Sequence, residues 1–183
     1  MHGGDSVEKG TFILKIKAFY YTIALAGALC VFATSAEAKV FSIPSQDAIA
    51  TISIPDDWKP NETDNGIEMN SPDAGIYVDA EQVQGADIAT AVTETVTLLT
   101  KQGLVIDESS KQQSDSEKNG LKMHDFLFKG KDKDGPTNFS ITLIETATPD
   151  KFLMLTFWGS DEAVKANDKV LGEIAQSVQL TKQ

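Results

Sequence analysis

Residues 151–158 read Lys-Phe-Leu-Met-Leu-Thr-Phe-Trp. Neighbouring residues of a strand point to opposite faces, and here apolar side chains occupy both. A strand of this kind has to be covered on both sides. It predicts the middle of a sheet with a packed layer above and below, and it rules out a fold in which one sheet face meets water throughout.

The remaining pattern supplies the neighbours. Residues 50–54 (Ala-Thr-Ile-Ser-Ile) alternate and stop at Pro55, as a half-buried strand does. Asn65-Gly66 marks a tight turn, because Gly accepts positive φ. Residues 67–70 and 75–83 read as two strands separated by a turn at 71–75. In the second of them Ile76, Val78 and Ala80 share one face, and Tyr77, Asp79 and Glu81 share the other. The period then changes. Ile88, Val92, Val96 and Leu99 recur on one helical face, which predicts a helix over 87–102 with Asp87 as its N-cap and Gly103 as its C-terminal cap. Five threonines in this stretch are weak helix formers, so the helix needs a surface to pack on. Strands follow at 104–115, 121–129 and 137–146. Asn119-Gly120 forms one turn between them, and the charged stretch 129–136 a second. Residues 160–177 close the chain as a helix with an acidic first turn and a stripe of Val164, Leu171, Ile174 and Val178. Short hairpins mean antiparallel pairing. The predicted class is α+β: a three-layer α/β/α sandwich with a mainly antiparallel sheet and two main helices.

The first forty residues read as an address. Residues 19–34 carry no charge, Lys15 and Lys17 precede them, and Ala36-Glu37-Ala38 follows. Basic flank, apolar core and a small-x-small site together describe a secretory signal peptide over 1–38. The competing reading is an uncleaved anchor, but the apolar run is short for a span of about 20 residues. A lipoprotein signal fits less well, because Cys30 follows Leu29. The stretch before Lys15 is long and partly acidic for such a signal, which would suit a start downstream of Met1. The expected products are residues 39–183 as a single domain and a periplasmic or secreted location. Residues 1–38 hold three lysines and three acids, so the net charge of −11 belongs to the domain, while the single Cys and His2 leave with the signal. The domain then has no thiol, and its stability rests on its core alone.

These features together resemble the PsbP-like fold, shared with the Ran-binding import factor Mog. The resemblance rests on the opening strand ending in Ile54-Pro55 and followed by Trp58, and on a strand–helix pair ending at Gly103. Phe-rich hairpins (Phe126, Phe128, Phe139, Phe152) and a closing helix after Trp158 complete it. It covers about residues 48–180. It implies an α/β/α sandwich acting as a binding or assembly module. Because the superfamily shares no catalytic motif, it implies no active-site residue.

Several chemistries are excluded or weakened. All 16 basic residues are lysine. A polyanion without arginine is a poor partner for nucleic acid or an anionic membrane, and it lacks the bidentate clamp for phosphates. There is no P-loop and no dinucleotide fingerprint. One His and no Cys leave no zinc site of the usual kind in the domain. Asp132-Lys133-Asp134-Gly135-Pro136 fails EF-hand spacing and reads as a hairpin loop. A carboxylate-only metal site would be sought at Asp56, Asp57, Glu62 and Asp64, where a solvated loop is the plainer reading.

His124 is the domain's only imidazole. Its neighbour Asp125 points to the opposite face of a strand, so the two do not touch. The ordinary reading is a packed or edge histidine. The alternative is a periplasmic hydrolase using His124 with nearby carboxylates such as Asp125 or Glu145. Trp58 and Trp158 are the other candidates for ligand or partner binding, since aromatics anchor interfaces. Core packing is the ordinary reading of each, with Trp58 in its polar loop the less easily buried. The expectation is an exported, non-enzymatic binding or assembly module. It needs no cofactor, its partner is an unknown protein or small ligand, and its composition is compatible with a monomer.

Overall fold

The computed structural model describes residues 37–84, 88–118 and 120–181. The signal peptide expected over 1–38 therefore lies almost wholly outside the described residues, as do Cys30, the expected helix cap Asp87 and Asn119 of the expected 119–120 turn.

Among the described residues, ten strands and two α-helices follow in order: β1 (Ala38–Ile43), β2 (Ala50–Pro55), β3 (Asn61–Glu62), β4 (Gly66–Asn70), β5 (Ile76–Gln84), α1 (Ile88–Lys101), β6 (Val105–Lys118), β7 (Leu121–Asp132), β8 (Gly135–Glu145), β9 (Lys151–Gly159), α2 (Asp161–Gln176) and β10 (Gln179–Leu180). They form two sheets, one ordered β1-β2-β10 and the other β3-β4-β5-β9-β8-β7-β6, with antiparallel pairing throughout. The described residues are thus α+β, with two α-helices and mainly antiparallel sheets among them. The strand that is apolar on both faces, β9, holds the middle position of the larger sheet.

Alternate residues of β8 and β9 enter two different cores. Ile144 and Leu153 join β1, β2, β4 and β5 residues together with Ile174 of α2. Phe139, Ile141, Leu143 and Met154 join Phe126 and Phe128 of β7 and Ala91, Val92 and Leu99 of α1. Side chains on each strand therefore divide by parity between a core containing α2 and one containing α1.

Local chemistry explains the helices. The α1 threonines return their hydroxyls to the backbone: Thr93, Thr95, Thr97 and Thr100 each donate to the carbonyl four residues earlier. This satisfies the hydroxyls in a helix of weak formers. Thr95 also reaches Met154 Sδ at 3.4 Å. Gly103 at φ +99° ends the helix, and the Leu104 N–H bonds the Leu99 carbonyl, as in a Schellman cap. At the N-cap of α2, Ser160 Oγ accepts from the Ala163 N–H at 3.2 Å. At its far end Ser177 Oγ accepts from the Ser53 N–H at 2.8 Å and donates to the Ile174 carbonyl at 2.7 Å, tying the helix to β2.

The sequence reading missed β1, β3 and β10. β1 buries only Phe41 and Ile43, and its first residue falls inside the expected cleavage motif. β3 and β10 are two-residue edges without their own pattern. The polar stretch after Leu104 is an edge strand, β6, and its register with β7 shifts between Asp107 and Gln112. A polar, irregular edge discourages pairing with other chains.

The larger correction concerns Trp58. It was expected to be the less easily buried tryptophan, yet it is 1% exposed and belongs to the core that contains α2. The 3-10 turn Asp56–Trp58, followed by Lys59 in the left-handed region, folds the indole back under an otherwise polar loop. We expect Trp58→Ala to lower unfolding free energy by about 3–5 kcal/mol in denaturant titration. A loss below about 1 kcal/mol would mean that the indole does not sit in the core.

Candidate functional site

The three tryptophan and histidine candidates do not form one site. Trp58 lies in the core on one side of the larger sheet. His124 shares its face of β7 with Phe126, on the other side. Trp158 is on that second side too, but it pairs with Phe139, whereas His124 pairs with Leu143. Four residues along a strand place them about 13 Å apart in the strand direction alone.

His124 is held between two carboxylates. Its Nδ1 lies 2.8 Å from Asp115 Oδ1 on β6, and its Nε2 lies 3.2 Å from Glu145 Oε1 on β8. Lys122 Nζ reaches the other Glu145 oxygen at 3.6 Å. Asp125 faces away, accepting from Thr142 at 2.7 Å and Ser116 at 3.3 Å. Carboxylates on both ring nitrogens favour the imidazolium, in which both nitrogens donate. The hydrogen bond to Asp115 raises the His124 pKa most, and partial burial opposes it. An imidazolium so clamped has no lone pair with which to take a proton from a substrate. Sequence reasoning named Glu145 but missed Asp115, which only the β6–β7 register brings opposite His124.

A second cluster lies on the same side of the sheet, on β4, β5 and β9. Glu68 is directly opposite Asp79, and Glu81 follows Asp79 on the same face of β5. Tyr77 Oη donates to Glu68 Oε2 at 3.3 Å, and Asn61 Nδ2 donates to Glu68 Oε1 at 2.8 Å. The Tyr77 and Trp158 rings meet at 4.9 Å with their planes 32° apart. Both rings and all three carboxylates are half-buried. Among the described residues, none of the three carboxylates has an ion-pair partner, and Asp79 and Glu81 accept no hydrogen bond. Burial and then the charges of Glu81 and Glu68 push the Asp79 pKa up to about 7. Burial also raises Glu81, and it raises the Tyr77 phenol with help from Asp79 and Glu68. Opposite Asp79 on β9, Thr156 is 3% exposed, and its Oγ1 has no hydrogen-bond partner.

The alternation of Tyr77, Asp79 and Glu81 is visible in the sequence. Glu68, Thr156 and Trp158 join them only through strand register. The four loop carboxylates proposed for metal, Asp56, Asp57, Glu62 and Asp64, are not gathered. Among the described residues, no three His, Cys, Asp or Glu side chains are placed to hold a metal ion. The 132–135 stretch is a hairpin turn in which Asp132 Oδ1 accepts from the Asp134 and Gly135 N–H groups.

With this geometry in place, the chain can be compared with known proteins. No protein-family model matches it, and no curated protein does. Among solved structures, cyanobacterial PsbP (CyanoP) from Synechocystis aligns over 84% of this chain and 98% of its own, with a TM-score of 0.55 and 8% identity. The chain has a PsbP-like fold. The Ran-binding protein Mog1p of Saccharomyces cerevisiae aligns over 80% of this chain and 96% of its own (TM-score 0.48, 11% identity). LpqN, involved in cell envelope biogenesis of Mycobacterium tuberculosis, aligns over 79% and 92% (TM-score 0.49, 12% identity).

The two clusters predict opposite behaviour on substitution. Asp79 has a folded pKa near 7 against an unfolded value of about 4, so the folded state binds more protons between these values and stability falls as pH rises through them. Asp79→Asn removes that loss. The variant should gain stability over wild type progressively from about pH 4 to pH 7, and hold the gain above, in denaturant titrations across pH. An advantage independent of pH would show that Asp79 does not titrate as described. For His124 the folded pKa is raised, so its bridging contribution is complete below about pH 6.5 and is lost as pH rises through the folded value. His124→Gln should therefore be destabilising at pH 5 and much less so at pH 9. An equal loss at both would remove the imidazolium from the account.

Proposed function

We propose that the chain is an exported, non-enzymatic binding or assembly module whose recognition surface is the β5–β9 face around Tyr77 and Trp158. The observation that carries this reading is the half-exposed ring pair set beside carboxylates that have no counter-charge. Large rings give a partner much contact area at low entropic cost. Half-buried carboxylates without partners reduce stability, and a ligand that supplies their missing donors offsets this. The clamped state of His124 speaks against the hydrolase alternative, because a general base needs a free nitrogen.

In this reading the mature domain is residues 39–183, in the periplasm or outside the cell. Among the described residues the first buried side chain is Phe41, so neither Glu37 nor Ala38 belongs to the core. Among the described residues, cleavage there removes the backbone bond from the Asp56 N–H to the Glu37 carbonyl. We further propose the three-layer α/β/α arrangement, with the parity of β8 and β9 as its support. The partner is a protein or small ligand, and the charge of −11 disfavours nucleic acid and anionic lipid.

Protein purified from the exported fraction of the source organism should have an intact mass that begins at Lys39. Cross-linked capture from that fraction should recover a defined partner with wild type and lose it with Tyr77→Ala/Trp158→Ala. A mass retaining residues 1–38 contradicts export by cleavage. Recovery of nothing, or equal recovery by the variant, contradicts the recognition surface.

A further inference from the structure

We infer that Glu68, Asp79 and Glu81, with Thr156 between β5 and β8 and the Tyr77–Trp158 rings alongside, form a receptor for a primary alkylammonium group. The assignment rests on the binding-module reading above and names the ligand chemistry for that face.

Three features converge on a cation. Direct cross-strand opposition of Glu68 and Asp79, with Glu81 two residues further on, sets three like charges on one face. Like charges opposite one another are destabilising unless something lies between them. No lysine or histidine of the described residues pairs with any of the three, although the same side of the sheet balances Asp115 and Glu145 with His124 and Lys122. The third feature is Thr156. Its hydroxyl is buried opposite Asp79 and has no partner, so an acceptor lone pair and a donor are left unused within the carboxylate cluster. A buried polar atom left unpaired is unusual in a folded protein, and a bound ligand is one of the ordinary explanations.

The kind of cation follows from the rest of the site. An ammonium has three donors and no acceptor, which matches two carboxylates and a hydroxyl oxygen. Glu68 already takes one donor on each oxygen, from Tyr77 and Asn61, so Asp79 and Glu81 hold the unused acceptor sites. The rings of Tyr77 and Trp158 offer a surface for a methylene stem and a π-face for the charge. A bare divalent ion would use neither, and no three ligating side chains here are placed for one. Such an ammonium could belong to a free polyamine or to the lysines of a protein segment, and the chemistry at the receptor is the same.

The test is calorimetric titration of residues 39–183 at about pH 8 and near-physiological salt, where surface charges are screened beyond about 8 Å. The probes are spermidine, a tetralysine peptide and magnesium chloride. Saturable binding of spermidine, of tetralysine or of both supports the receptor, and the probe that binds identifies the source. Asp79→Asn/Glu81→Gln and, separately, Thr156→Val should each weaken that binding at least about tenfold. Glu94→Gln/Glu108→Gln removes the same charge from exposed positions and should leave it unchanged. Circular dichroism melting confirms that each variant is folded, and Thr156→Val keeps the test usable should the double variant fail to fold. Absence of saturable binding overturns the inference, as do equal heats with magnesium or equal weakening by both double variants. If Asp79→Asn/Glu81→Gln still captures the cellular partner that Tyr77→Ala/Trp158→Ala loses, the binding module stands and the ammonium receptor falls.

Discussion

The structure depends on the pairing of β5 with β9. Nine consecutive residues match across it, from Ile76 opposite Gly159 to Gln84 opposite Lys151. Between these strands in sequence lie α1 and the whole β6–β8 meander, so this ladder joins the early part of the chain to the late part. It closes without strain because Gly159 sits where a Cβ would meet Ile76 Cδ1 at 2.5 Å. Gly66 has the same role one strand away, where a Cβ would lie 2.0 Å from the Ala80 carbonyl oxygen. In both places the missing side chain allows backbone and core to approach at the edge of a ladder. β9 can hold the centre because it offers apolar side chains to both cores, Leu153 to one and Met154 to the other.

The register that builds the core also builds the polar cluster. Once Ile76, Val78 and Ala80 commit to the core that contains α2, Tyr77, Asp79 and Glu81 must face the other side, because strand period is two. There β9 presents Trp158, Thr156 and Met154 opposite them. α1 covers this side with Ala91, Val92 and Leu99, which cluster with β7, β8 and Met154. Tyr77, Asp79 and Glu81 stay half-buried. They are dry enough to be perturbed and open enough to be reached, the usual condition of a recognition site. The fold thus makes a place of this character at the flank of α1 without any loop built for it.

Elements with a strong period were legible before the structure: β5 and its two faces, β9 and its need for cover, and α2 with its stripe. Those with weak or short patterns were not. β1 offers two buried residues and begins in the stretch expected to be a cleavage motif, while β3 and β10 are too short to carry a period. Trp58 was ranked the harder tryptophan to bury because polarity of its loop says nothing about where a 3-10 turn aims an indole. Site residues were legible in inverse proportion to the sequence distance between them. Tyr77, Asp79 and Glu81 alternate within one strand and were seen together. Asp115 and His124 needed a hairpin register, and Asp115 stood at the expected end of its strand. Thr156 and Asp79 are far apart in the chain and meet only through the non-local β5–β9 ladder.

The contrast between the two clusters bears on why the domain is acidic. At the β6–β8 end, two carboxylates share one imidazole and a lysine, and the charges are largely settled within the protein. At the β4–β5–β9 end, three carboxylates share only neutral donors, from Tyr77 and Asn61. Adding one lysine near Asp79 would relieve that repulsion at little structural cost, as Lys122 does beside Glu145. Its absence leaves the field of the cluster directed outward, and the net charge of −11 around it strengthens attraction for cations over the whole surface. The domain's overall acidity then acts in the same sense as its local site: the first gathers positive groups near the surface, and the second offers them the unpaired acceptors of Asp79, Glu81 and Thr156.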